Sequence, residues 1–297
     1  MPTNKLKIGL VQAKVSSSIN ENLDRTAKFI GQAAKKGASI ACLQELFAAP
    51  YFAQKEDKSV FSSAEKIPGK IADFLSKCAK ENKISLVSGS LFEKGNDGKF
   101  YNTSLVFDSS GKLISKYRKI HIPQDPSYYE QFYFSSGNLG YQQVKVSGKA
   151  SEKNHDGRFD AVIAPLICYD QWFPEAARIN ALKGAQLLFY PTAIGWTKEM
   201  KQLEPFSAKR WEDAMRSHAS MNGIYVAAAN RVGKEDNIDF WGGSFIADPF
   251  GEIVARASSK KEEVLVAEID LDKIQKSQEG WGFMRNRKPG SYGDLAK

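Results

Sequence analysis

The sequence predicts an α/β fold in which two sheets pack face to face with helices on the outside. Three observations carry that prediction. Strand-length apolar runs alternate with helical periodicity from the first residues. The early β-α-β pattern then gives way to hairpin signals at Ser109-Ser110-Gly111 and Asp248-Pro-Phe-Gly251. The strands also outnumber what one doubly wound sheet with a helix at each crossover would use.

In chain order, Lys7 to Gln12 is a short apolar run of strand length. Asn20 is placed to cap a helix whose apolar residues Leu23, Ala27, Ile30 and Ala34 recur at helical spacing, with Gly37 as its stop. Ser39 to Leu43 reads as a buried strand. A second helix starts near Pro68, where proline suits a first turn. Its face Ile71, Phe74, Leu75, Cys78 and Ala79 makes Cys78 a core residue. Strands follow at Ile84 to Phe92, Tyr101 to Asp108 and Lys112 to Lys119. Further strands are expected at Val144 to Ser147, Ala161 to Cys168, Gln186 to Tyr190, Ile224 to Asn230, Gly243 to Asp248 and Val264 to Ile269. Helices are expected at Pro174 to Lys183 and Ser207 to Asn222. The polar stretch Gly148 to Arg158 reads as an exposed loop, too short for a domain linker. With no internal repeat, the expectation is one domain over 1–297 with a C-terminal extension from about 271.

Composition narrows the function. The chain has 297 residues, 42% hydrophobic and 26% charged, values ordinary for a globular protein and far from a disordered or collagen-like chain. No run of 18 apolar residues occurs, so no membrane helix and no membrane partner is expected. Met1 to Gln12 lacks a signal-peptide core, and the expected location is the cytoplasm. The net charge of +8 comes from scattered lysines rather than a basic stripe, which argues against a nucleic-acid partner. Three cysteines form neither a disulfide framework nor a CxxC pair, and the three histidines do not cluster. No metal is expected.

Cys168 is the most informative residue. It ends the apolar run Ala161-Val-Ile-Ala-Pro-Leu-Ile-Cys168, shortly before a helix expected at Pro174. A thiol there meets free backbone N–H groups, which lower its pKa and can hold an oxyanion. It needs a base, and His155 and His218 sit in no cysteine-protease signature. A carboxylate raised toward neutrality by burial can serve instead. Glu45 fits, at the end of a buried strand beside Leu46 and Phe47. Lys119 ends another strand, where an ammonium can stabilise a developing oxyanion.

Together these residues resemble the nitrilase superfamily of carbon–nitrogen hydrolases. The matching segments are Leu43-Gln-Glu-Leu-Phe47, Tyr117-Arg-Lys-Ile-His-Ile-Pro123 and Cys168-Tyr-Asp-Gln-Trp-Phe-Pro-Glu175. Glu130 falls where many members carry a second glutamate. Ala228-Ala-Asn-Arg231 and Gly243-Ser-Phe-Ile-Ala-Asp-Pro-Phe-Gly251 also look like family signatures. The resemblance runs from Lys7 to about Tyr292. It implies a four-layer αββα sandwich, self-association into a homo-oligomer (dimer or larger), and no cofactor. It further implies that Glu45 is the base, Cys168 the nucleophile, and Lys119 with the Tyr169 N–H the oxyanion holders, with Glu130 in support.

Within the superfamily, the cysteine segment, Tyr190-Pro-Thr-Ala-Ile-Gly195 and Tyr128-Tyr-Glu-Gln-Phe-Tyr-Phe134 look most like the members that cleave N-carbamoylputrescine to putrescine, carbon dioxide and ammonia. Relatives acting on N-carbamoyl amino acids commonly carry an arginine just after the cysteine. Asp170 and Gln171 stand there instead. An ammonium tail wants aromatic walls and a carboxylate. Tyr51, Trp172 and Trp196 are candidate walls, and Asp125 or Glu175 the candidate charge. Other small-molecule substrates, an N-carbamoyl-β-alanine or an ω-amide, stay as alternatives, as does a non-catalytic scaffold.

Overall fold

The computed structural model describes residues 4–151 and 157–296. The chain opens with β1 (Lys5–Gln12), α1 (Ile19–Lys35), β2 (Ile40–Cys42), α2 (Lys70–Asn82) and β3 (Ser85–Val87). Next come β4 (Leu91–Lys94), β5 (Phe100–Phe107), β6 (Leu113–Arg118), the short β7 (Gln124–Asp125) and β8 (Tyr128–Tyr129), and α3 (Glu130–Tyr133). The second half holds β9 (Val144–Lys149), β10 (Arg158–Pro165), α4 (Pro174–Leu182), β11 (Leu187–Thr192), β12 (Gly195–Trp196), α5 (Lys198–Leu203) and α6 (Ser207–Asn222). It ends with β13 (Tyr225–Asn230), β14 (Val232–Glu235), β15 (Ile238–Trp241), β16 (Phe245–Ala247), β17 (Ile253–Arg256), β18 (Glu263–Asp270) and α7 (Asp272–Trp281).

One sheet runs β18-β1-β2-β3-β5-β4, with β6 on the other side of β5; the second runs β17-β16-β13-β11-β10-β9. Alternation along each strand decides what touches what. On β1, Leu6, Ile8 and Leu10 join Val146, Phe159 and Ile163 of the second sheet in one core. The opposite face, with Val11, Ala41, Leu86 and Leu105, packs against Ile30 and Ala33 of α1 and Leu75 and Cys78 of α2. Beyond the second sheet, Ala177 of α4 and Trp211 and Met215 of α6 close the other side. These contacts build the αββα order layer by layer. No helix among the described residues is long and apolar enough to cross a membrane.

Several boundaries differ from the sequence expectation for identifiable reasons. Ser18, not Asn20, caps α1, its side chain accepting from the Glu21 N–H. Gly69 is the N-cap of α2, which leaves Pro68 outside the helix. The expected strand Ile84 to Phe92 is broken in two by Gly89, whose φ is +69°; a Cβ there would lie 2.0 Å from the Gln44 carbonyl oxygen. The expected loop Gly148 to Arg158 is shorter, because β9 continues far enough for Lys149 to pair with Arg158. Residues 152–156, His155 included, lie outside the described residues. The extension from 271 contains α7, anchored by Ile274 in the core and by Ser277 Oγ donating to the Pro249 carbonyl.

Candidate active site

Three chain turns at strand ends bring the candidate residues together. Glu45 lies three residues past β2 and is fully buried. The turn is tight: Leu46 adopts φ +47°, and its N–H is held by Ser90 Oγ at 2.9 Å. Lys119 follows β6 directly and is also fully buried. Its carbonyl accepts from the Gly137 N–H at 2.8 Å. Only glycine permits that approach, since a Cβ at 137 would fall 2.1 Å from the Arg118 carbonyl oxygen. Glu130 is the first residue of α3 and is 1% exposed.

Cys168 differs from the expected strand end. β10 stops at Pro165, and Cys168 opens a 3₁₀ segment, Cys168–Trp172, with φ +40°. A non-glycine residue held in the left-handed region marks a site where the surroundings overrule local preference. The expectation of a lowered thiol pKa also fails. Burial pushes the thiol well above its ordinary value, Glu45 adds to this, and Lys119 opposes it. The resting thiol is therefore neutral and needs a base. The first N–H groups of a helical segment lack partners within it, and Tyr169 supplies one of them here.

Lys119 Nζ donates to Glu45 Oε1 at 2.8 Å and to Glu130 Oε2 at 2.6 Å. Asn102 Nδ2 donates to the same Glu45 Oε1 at 2.8 Å, and the Tyr51 hydroxyl to Glu130 Oε1 at 2.7 Å. Glu45 Oε2 is buried without a partner. One cation thus serves two carboxylates and leaves one oxygen free. Burial works to lower the Lys119 pKa, but Glu130 and Glu45 outweigh it and hold the ammonium protonated. Burial raises the Glu130 carboxyl above its ordinary value against the pull of Lys119.

The other predicted residues fall into place unevenly. Tyr51 is buried, its ring against Tyr128 and Phe240, so it supports Glu130. Asp125 is exposed on β7, and its charge reaches the half-buried Tyr169. Trp172 is half-buried and packs on the large core around the second sheet. Glu175 is exposed in the first turn of α4, where its charge acts on the Tyr141 hydroxyl; it is not part of the hydrogen-bonded cluster. Trp196 packs on Trp241, and Lys201 already sits over its ring at 4.9 Å.

Asp170 and Gln171 turn inward. Asp170 accepts from the Ile167 N–H, the Tyr117 hydroxyl and both the N–H and Nδ1 of His121, tying the cysteine turn to the lysine turn. Gln171 Oε1 accepts from Trp211 Nε1 at 2.8 Å, and His218 Nε2 lies 2.8 Å from the Gln171 carbonyl. Neither histidine is bonded to the thiol. Sequence reasoning missed Asn102, although the polar run Asn102-Thr103-Ser104 inside an apolar strand was a visible signal. Among the described residues no group of three His, Cys, Asp or Glu could hold a metal ion.

The curated N-carbamoylputrescine amidase of Oryza sativa subsp. japonica is 40% identical, covering 97% of this chain and 94% of its own. The citrullinase of Francisella tularensis subsp. tularensis is 34% identical, covering 98% of each. The crystal structure of a carbon-nitrogen hydrolase from Helicobacter pylori G27 superposes with a TM-score of 0.90 at 36% identity, over 99% of both chains. The carbon-nitrogen hydrolase family profile matches residues 7–279. With that match spanning most of its length, and with relatives of this similarity over nearly all of it, the chain belongs to the carbon-nitrogen hydrolase family of the nitrilase superfamily.

Proposed function

We propose that the protein is a thiol amidohydrolase of N-carbamoylputrescine. The observation that carries the chemistry is the buried, unpartnered Glu45 Oε2, whose carboxylate charge acts on a buried thiol kept neutral. Glu45 takes the Cys168 proton, and the thiolate attacks the carbamoyl carbon. Lys119 Nζ and the Tyr169 N–H stabilise the oxyanion. Glu45 returns the proton to the departing nitrogen, leaving an S-acyl enzyme. It then activates a water, which cleaves the carbon–sulfur bond and restores the thiol. Glu130 holds Lys119 between the two carboxylates throughout. No step calls for a cofactor.

Two points support the substrate. The Oryza N-carbamoylputrescine amidase, at 40% identity, is more similar to this chain than the citrullinase at 34%. The cysteine segment offers no cation to a substrate carboxylate, while the exposed Asp125, whose charge reaches Tyr169, offers an anion to an ammonium tail. Citrulline is the informative competitor, since it carries the same terminal ureido group and an ammonium but adds a carboxylate. The test is kcat/KM for N-carbamoylputrescine, citrulline, N-carbamoyl-β-alanine and an ω-amide under one condition. N-carbamoylputrescine is expected to lead N-carbamoyl-β-alanine by about a hundredfold, because a tail carboxylate would face like charge. A lead for citrulline or for the ω-amide would replace the substrate and leave the thiol chemistry standing.

The protein is also proposed to work as a homo-oligomer. Leu182 at the end of α4, Met221 of α6, and Trp281 and Phe283 around the end of α7 are exposed apolar residues. Arg178 joins these elements by donating to the Met221 carbonyl and to Met284 Sδ. Light scattering behind a sizing column would read the mass, and a monomer would remove this part.

A further inference from the structure

The segment Ala228-Ala-Asn-Arg231 takes no part in the steps above, yet it ends in a fully buried guanidinium. Arg231 Nη2 donates to the carbonyl oxygens of Glu45 at 2.8 Å and Leu46 at 2.9 Å. Two consecutive carbonyls converge on one nitrogen where Leu46 is left-handed. Arg231 Nη1 donates to both oxygens of Glu235, at 2.8 and 2.9 Å. Glu235 Oε2 in turn accepts from the Tyr51 N–H at 2.7 Å. Tyr51 reaches Glu130, Glu130 meets Lys119, and Lys119 meets Glu45. The chain of bonds closes on the residue where it began.

We propose that Arg231 and Glu235 are positioning residues that set the aim of Glu45, an inference resting on Glu45 being the base. Lys119 and Asn102 hold one oxygen of the carboxylate, but a single held oxygen leaves the carboxylate free to pivot. The backbone must be fixed separately. Arg231, between β13 and β14, does this by clamping the Glu45–Leu46 turn across from the other sheet. A guanidinium suits the task because its rigid fork reaches two carbonyls and a carboxylate at once; a lysine ammonium at that position is a point donor without that geometry. Glu235 completes the device by neutralising the buried cation and linking the same clamp to Tyr51, and so to Glu130.

The test compares Arg231→Lys and Glu235→Gln in the wild-type background and with Glu45→Gln. Readouts are kcat, KM and the rate at which iodoacetamide labels Cys168, located by mass spectrometry. Arg231→Lys is expected to lower kcat about a hundredfold with little change in KM, as a displacement of the order of 1 Å can cost that much. Glu235→Gln keeps the shape and should cost about tenfold, which keeps the idea testable if Arg231→Lys folds poorly. With Glu45→Gln present, neither change should slow labelling further, because the group being aimed is gone. An equal loss in both backgrounds would mean a merely structural role and would overturn the proposal. So would a raised KM at unchanged kcat, or normal turnover in both variants. Normal turnover of Glu45→Gln alone would instead remove the reading of Glu45 as base.

Discussion

Arg118 and Lys119 are neighbours at the end of β6, and their side chains enter two buried ion clusters of opposite balance. Around Arg118, one carboxylate serves two cations. Glu93 accepts from Arg118 Nε and Nη2, from Lys116 Nζ and from the Thr103 hydroxyl. Around Lys119, one cation serves two carboxylates, and Glu45 Oε2 is left over. The carboxyl groups respond in opposite directions. Burial acts to raise Glu93, but the bonds from Arg118, Thr103 and Lys116 win and hold it below its ordinary value. Burial wins at Glu130, which is held above. A saturated cluster locks its strand in place. An undersaturated one keeps a proton acceptor in reserve, which is what the proposed role of Glu45 as base requires.

The comparison breaks most sharply at Cys168, the proposed nucleophile. Cys168→Ala should leave less than about a thousandth of the turnover with the fold intact, since a covalent nucleophile has no substitute. Circular dichroism and an ammonia-release assay read the two halves. Surviving activity would move the chemistry elsewhere. Glu45→Gln keeps the shape of the undersaturated cluster and removes its acceptor. A loss of about a hundredfold to ten-thousandfold is expected, the range for general acid–base catalysis. Tyr51→Phe takes one hydrogen bond from Glu130 and should cost about tenfold in kcat. A larger loss than that of Glu45→Gln would reverse the ranking of the two carboxylates.

Glu93→Gln tests the other cluster and should do the opposite. Turnover per folded molecule should stay close to wild type, while stability falls by about 3 kcal/mol, because two cations lose their buried partner. Urea unfolding reads the second quantity. Its pH dependence sharpens the contrast. A carboxyl held below its ordinary 4.5 lends stability above that pH and loses it as pH falls further. The wild-type midpoint should therefore drop more steeply than that of Glu93→Gln below about pH 4.5. Parallel curves would mean that Glu93 is not the group titrating.

Most of the architecture was legible along the chain because helical and strand periodicities differ and each survives locally. The apolar run of β1 and the stripe on α1, read in the sequence, both recur in the packed layers. Glu45, Lys119 and Cys168 were legible as candidates at or near expected strand ends, although Cys168 opens a 3₁₀ segment beyond the strand, and the ordered motifs around them pointed to the family. Asp170 was read only as the absence of an arginine. Its four hydrogen bonds draw on residues 117, 121 and 167, and no local pattern announces that convergence.

By itself, then, the sequence determined the alternation of elements, the two-sheet layering and the family, and it singled out Glu45, Lys119 and Cys168 as candidates. Each of these rests on short-range periodicity or on residue type. The tertiary structure alone decided the rest: which oxygen of Glu45 stays free, that the Cys168 thiol is raised rather than lowered, and that Arg231 clamps a turn 186 residues away. The physical reason is that desolvation and hydrogen-bond saturation depend on everything packed around a group. Those neighbours come from both sheets, so the answer exists only once the sheets have met.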